Sequence, residues 1–238
     1  MKKVLLIVTC FLFLGASPGD AGFLEDVLKK MGASEPAGSG DETLVRGLKE
    51  ALSVGTGNAV SVLSVVDGYF GNQAVKILMP ERIRKVGEVL STVGFQKQVD
   101  EFIMSMNRAA EKAAPQARTV FVDAIKGMTF EDAGRIMNGG DTAATEYFKG
   151  RTHDRLYERF RPIVSSSMNE VGVTRRYKDL MQKYTAIPFM KAEFPDLDHH
   201  VTDKALAGLF YMVGEEEKKI RTEPAARVTD LLKQVFGK

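Results

Sequence analysis

The sequence contains one cysteine, Cys10, and no tryptophan. Cys10 lies within residues 1–21, which read as a removable signal, so the mature chain would carry no thiol. A thiol-free chain forms no disulfide, runs no thiolate chemistry and offers no cysteine to a metal. An excess of one charge is also missing. Lysine and arginine number 33 against 31 aspartate and glutamate, a formal net charge of +2 that becomes +1 once Lys2, Lys3 and Asp20 leave with the signal. That balance argues against a nucleic-acid-binding face or a strongly basic membrane patch. No apolar run reaches the ~20 residues of a spanning helix. The spellings GxxxxGK[ST], GxGxxG and HExxH do not occur, and Ser165, Ser166 and Ser167 stand in no GxSxG context, which leaves nucleotide, zinc-protease and serine-nucleophile chemistry without a signature there.

The amino terminus does carry a signal. Lys2 and Lys3 form a charged end, residues 4–14 an apolar run, and Gly19, Asp20 and Ala21 a small-x-small cleavage site. Cleavage near Ala21–Gly22 predicts a periplasmic or secreted protein with no membrane span after processing. Thr9 before Cys10 and the apolar Phe11, Leu12 and Phe13 after it argue against lipidation. Residues 22–40 read as a short amphipathic piece and then a linker, GASEPAGSG.

Residues 41–238 predict one all-α domain of about nine helices with a single extended segment near 74–79. Leu44, Leu48 and Leu52 keep helical spacing until Gly55 and Gly57, which suggest two helices with a glycine joint. The turn-forming run Asp67, Gly68, Tyr69, Phe70, Gly71, Asn72 precedes the extended segment, and Pro80 ends it. The domain is organised around residues 107–148. Pro115 sits at a helix start, Thr129 and Asp132 have capping-box spacing, and Gly139–Gly140 stops one helix before Asp141 and Thr142 open the next. Residues 152–171 read as a long helix that Pro162 should bend or split. Further helices are expected over 173–184, 201–221 and 224–236.

Candidate chemistry is sparse. Asp196, Asp198, His199 and His200 place imidazoles beside carboxylates, but adjacent histidines point apart, so a helix start capped by Asp198 is the expected reading and no metal site is assigned. Arg108 and Glu111, and Glu217 and Arg221, have ion-pair spacing. Thr142 and Thr145 serve a helix start whose free amides can bind an anion. Ser165, Ser166 and Ser167 have no nucleophile context.

Six runs resemble a known family: GLKEALSVGTGNAV (47–60), DGYFGNQAVKILMP (67–80), MNRAAEKAAP (106–115), MTFEDAGRIMNGGDTAATEYF (128–148), RFRPIV (159–164) and IRTEPAARVTDLLKQVFG (220–237). Over about 41–238 the chain resembles the bacterial domain of unknown function 4197 family. The resemblance implies one exported, mainly helical domain and no reaction or cofactor. It gives weight to the motif positions Asp67, Asn72, Asn107, Arg108, Glu111, Asp132, Thr145, Tyr147, Phe148, Arg161, Glu217 and Arg221; all of these but Phe148, together with Tyr69, are candidate binding residues. His199 and His200 stand where the family reads DLDxYV, a local variation.

The leading expectation is a non-enzymatic helical protein that binds a small molecule or an envelope protein, with no cofactor. A cavity edged by Tyr69, Tyr147 or Arg108 would support it. The alternatives are a hydrolase or lyase in which Glu111, Asp132 and Arg161 converge, and an assembly component whose motif residues pair inside the fold.

Overall fold

The computed structural model describes residues 40–170, 172–186 and 195–236, so the signal, residues 22–39 and Val171 lie outside the described residues. The described residues are mainly helical, with no strand among them. Helix α1 (Gly40–Leu63) leads through residues 64–80 to α2 (Glu81–Leu90), a π turn (Ser91–Phe95) and α3 (Gln96–Ala113). A 3-10 turn (Ala114–Gln116) containing Pro115 passes the chain to α4 (Ala117–Lys126), then α5 (Phe130–Met137) and α6 (Ala143–Glu170). The carboxy-terminal part is α7 (Val173–Thr185), α8 (Leu197–Thr222), a 3-10 turn (Pro224–Ala226) and α9 (Asp230–Phe236).

Several boundaries follow the local chemistry. The Thr129 hydroxyl accepts the Asp132 amide while the Asp132 carboxylate accepts the Thr129 amide, the reciprocal box that starts α5. Gly94 at φ +94° and Gly172 at φ +74° turn the chain left-handed where helices end, a region that side chains with a Cβ disfavour.

Other expectations are corrected. The glycine joint is absent: α1 runs unbroken through Gly55 and Gly57. Gly55 instead sets a close approach, since a Cβ there would lie 3.4 Å from Glu216 Cβ and 3.6 Å from Ile220 Cδ1 on α8. Pro162 does not split its helix, and α6 begins at Ala143 rather than 152. Pro162 and Glu158 are both exposed, so the carbonyl that loses its partner faces water. Residues 74–79 form no strand; a turn reaches Val75 and an irregular stretch continues to Pro80. Asp196, not Asp198, caps α8 by accepting the His199 amide at 2.9 Å, which starts that helix four residues earlier than expected.

Helices α6 and α8 pack against each other at the centre, with α3 and α4 against α6 and α1 against α8. One apolar core joins these elements, including the fully buried Phe102, Phe121, Phe148 and Phe160. A smaller cluster of Ala51, Val54, Ile220 and Leu232 fastens α9 across α1 and α8. Between α1 and α8 lies an apolar void of about 20 Å³ lined by Gly55, Leu52, Val213 and Ile220. Gly55→Ala should therefore stabilise the fold by about 0.5–1 kcal/mol, because the methyl meets its neighbours at ordinary contact and helix propensity improves. Urea unfolding would check this, and a lower midpoint would show that α8 cannot accommodate the methyl.

Candidate functional site

The candidate carboxylates from the sequence are mostly spent on fastening distant segments. Glu111 on α3 accepts the consecutive amides of Tyr69 and Phe70 at 3.1 and 3.2 Å and an Arg108 guanidinium N–H at 2.7 Å. Arg108 also donates to Asp67 at 2.7 Å, and Asp67 holds φ +68° at the start of the turn. Tyr69 is fully buried and donates to the Ala205 carbonyl at 2.8 Å. Burial first, and then the Glu111 charge, push its phenol far above the ordinary range. Tyr69 therefore edges no cavity.

Glu217 on α8 builds the same kind of bracket around the start of α6. Its carboxylate accepts the amides of Ala144 and Thr145 at 3.0 and 2.8 Å and the Thr145 hydroxyl at 2.7 Å. The anion expected at those free amides is thus a side chain of the protein itself. Arg221 completes the bracket through two N–H groups to Glu217, at 3.0 and 2.9 Å, and one to the Ile136 carbonyl at the end of α5.

Asn107 serves the irregular stretch. Its carboxamide oxygen accepts the Ile77 amide at 2.8 Å, while its nitrogen donates to the carbonyls of Ile77 and Ile103, each at 2.8 Å. Two hydrogen bonds to one residue stand in for the missing strand neighbour. Asn72 closes the turn by accepting the Ala74 amide and donates to the Met212 sulfur at 3.6 Å.

Asp132 is buried beside a shallow groove of about 520 Å³ between α5 and α6. The Thr129 amide bond holds its carboxyl below the usual range, with help from the Thr129 hydroxyl, Arg135 at 2.6 Å and Arg151 at 3.8 Å. The Tyr147 hydroxyl reaches the same carboxylate at 3.4 Å. Arg135 and Arg151 in this groove are matched by Asp132 and Glu146, so it carries no excess charge. Arg161 lies elsewhere, paired with Asp196 at 3.5 Å with both half exposed. Glu111, Asp132 and Arg161 share no partner, and the groove beside Asp132 includes neither of the other two.

A different groove leaves cations and apolar groups together at the surface. His200, Lys204, Ala207, Gly208 and Tyr211 follow one stripe of α8, at helical spacing. Residues 72–79 run antiparallel to that stripe: Asn72 meets Met212, Val75 lies against Gly208, and the Leu78 carbonyl meets His200 Nε2 at 2.9 Å. The groove holds about 630 Å³ and is walled by Val75, Leu78 and Met79, with Lys76, Arg84 and Lys204 against the single acid Glu81. A second hollow of about 710 Å³ continues it past Pro80 and Pro195, sharing Glu81, His200, Lys204 and Ala207. The sequence reading overlooked this stripe because it mixes residue types, and only the packing of residues 72–84 on α8 makes it one surface.

Gly208 makes that packing possible. A Cβ there would lie 2.9 Å from the Tyr69 ring and 3.0 Å from Val75 Cβ. Gly208→Ala should cost about 1–2 kcal/mol, as overpacking outweighs the gain in helix propensity, and should loosen residues 72–79. Faster hydrogen exchange at the Val75 and Ile77 amides would report the loosening; unchanged exchange would contradict it.

His200 gives the groove a pH response. A carbonyl only accepts, so Nε2 carries the proton, and burial lowers the imidazole pKa more than the bond to Leu78 raises it. Lys204 and His199 push the same way, Asp203 opposes them, and Glu81 and Arg84 face the groove from α2. With the folded pKa below the unfolded value, this contribution to stability is intact above pH ~6.5 and is lost as pH falls through that value towards the folded one. Melting profiles between pH 5 and 8 should be flatter on the acid side in His200→Gln, which keeps a donor for Leu78 and does not titrate.

Among the described residues no three His, Asp or Glu side chains gather as a metal site, and no helix is long and apolar enough to cross a membrane. His199 instead contacts Tyr157 at 2.7 Å and Asp203 at 3.1 Å. No curated protein and no solved structure matches the chain. The family model described as protein of unknown function (DUF4197) matches residues 38–237 and so spans every described helix. The bracketed motifs and the groove are therefore features of a chain that belongs to the DUF4197 family.

Proposed function

We propose that the protein is an exported, non-catalytic binding protein that takes its ligand in the groove between residues 74–84 and α8. The observation that carries the reading is the exposed pairing of cations and large apolar side chains there. Lys204 is exposed without a described carboxylate partner, and Leu78 and Tyr211 are 57% and 46% exposed on the same groove. Its volume falls in the range of small-molecule sites. Glu111, Asp132 and Glu217 support a non-catalytic role because each is already saturated by local partners. The amino-terminal signal supports export.

Native mass spectrometry of the mature protein purified from the periplasm tests both parts. A reproducible added mass, absent from Lys204→Glu, is the expected result. Wild-type protein that is always free of ligand would overturn the reading. A second reading, an envelope-assembly component, is favoured by the buried pairing of Glu111 with Arg108 and Glu217 with Arg221; it predicts a discrete oligomer in the same spectra.

A further inference from the structure

We infer that the ligand of this groove is an acid-headed amphiphile, bound with its ionised head at the amino-terminal end of α8 and its apolar body towards Tyr211. This rests on the groove being the binding site and adds the chemistry and orientation of what it takes. The antiparallel register gives the groove two unlike ends. His200 and Lys204 lie at one end with the Leu78 carbonyl, and α2 begins three residues after Leu78, bringing Glu81 and Arg84 to that end. At the other end Ala207 and Gly208 leave a smooth floor, walled by Val75 and closed by Tyr211. The distance from His200 to Tyr211 is roughly 16 Å at the helix rise, room for a head group and an extended hydrocarbon chain.

The charges sort the same way. Lys76, which also lines the groove, is engaged over the Phe70 ring, 4.1 Å from its centre. Arg84 is half committed to Glu81 at 2.8 Å, an exposed pair that costs little to share. Lys204 has no described carboxylate partner to displace. His200 presents Nδ1 as an acceptor when neutral and as a donor when protonated, so it suits the acid head best at lower pH. A neutral-headed molecule would leave Lys204 unanswered. A bare anion would leave Leu78 and Tyr211 uncovered.

Titration calorimetry with three probes below their micelle concentrations separates these cases: decyl phosphate, decyl glucoside and inorganic phosphate. Decyl phosphate should bind at least about tenfold more tightly than either of the others, the size of one charge-assisted hydrogen bond. Lys204→Glu should remove about that factor for decyl phosphate and leave decyl glucoside unchanged, while Tyr211→Ser should weaken both decyl probes. Equal affinity for the charged and neutral heads would overturn the inference. If none of the probes binds while the periplasmic protein still carries a mass that Lys204→Glu removes, the groove reading survives and the amphiphile does not. Binding of decyl phosphate that ignores both substitutions would place it elsewhere and overturn both.

Discussion

Glu217→Ala should lower stability by about 3–5 kcal/mol, the cost of breaking a buried, hydrogen-bonded ion pair by removing one member. The Glu217 side chain is 6% exposed and accepts five hydrogen bonds from three residues in two separate parts of the chain. Its removal leaves the Ala144 and Thr145 amides without acceptors at the start of α6 and leaves Arg221 with only the Ile136 carbonyl. A void also opens beside the apolar space between α1 and α8, which Glu217 helps to line. For a domain of this size the loss corresponds to roughly 6–20 °C in Tm. Arg221→Ala should cost less, because Arg221 is more exposed and the amides keep their acceptor. Urea unfolding of both variants, with hydrogen exchange at Ala144 and Thr145, tests the argument. A Glu217→Ala loss below about 1 kcal/mol would mean that water replaces the carboxylate, contrary to its burial.

The sequence made the local devices legible and left the long-range ones hidden. The box of Thr129 and Asp132 is written three residues apart and forms as spelled. The pairs Arg108–Glu111 and Glu217–Arg221 are likewise visible from helical spacing. What spacing cannot say is that Glu111 will meet amides 41 and 42 residues away, or that Glu217 will meet amides 72 and 73 residues away. Those contacts depend on how α3 and α8 are placed by the core. Glycine was ambiguous for the same reason. Gly94 and Gly172 turn the chain, whereas Gly55 and Gly208 sit inside helices because another element comes close. Intrinsic propensity reads both kinds as breakers, and tertiary packing decides. The groove was unreadable because one of its walls, residues 74–80, has no periodic structure of its own.

That wall depends on Asn107, and Asn107→Asp isolates why. The substitution keeps size and shape and keeps an acceptor for the Ile77 amide, but replaces the nitrogen that serves the Ile77 and Ile103 carbonyls. Asn107 is fully buried, so at neutral pH the variant must either hold a carboxylate against two carbonyl oxygens or take up a proton. Either course should cost about 3 kcal/mol or more. The acid in the folded variant would have its pKa raised above the unfolded value. The variant therefore approaches wild-type stability only below the unfolded carboxyl pKa and loses stability as pH rises through the folded one. A stability difference that is independent of pH would show that residue 107 has turned out of the bracket. Because Ile77 sits between Val75 and Leu78, release of its backbone should also dissolve the groove wall. Asn107→Asp would then lose ligand and stability together, with fast exchange at Ile77, while Lys204→Glu loses ligand in a protein that unfolds at the wild-type midpoint.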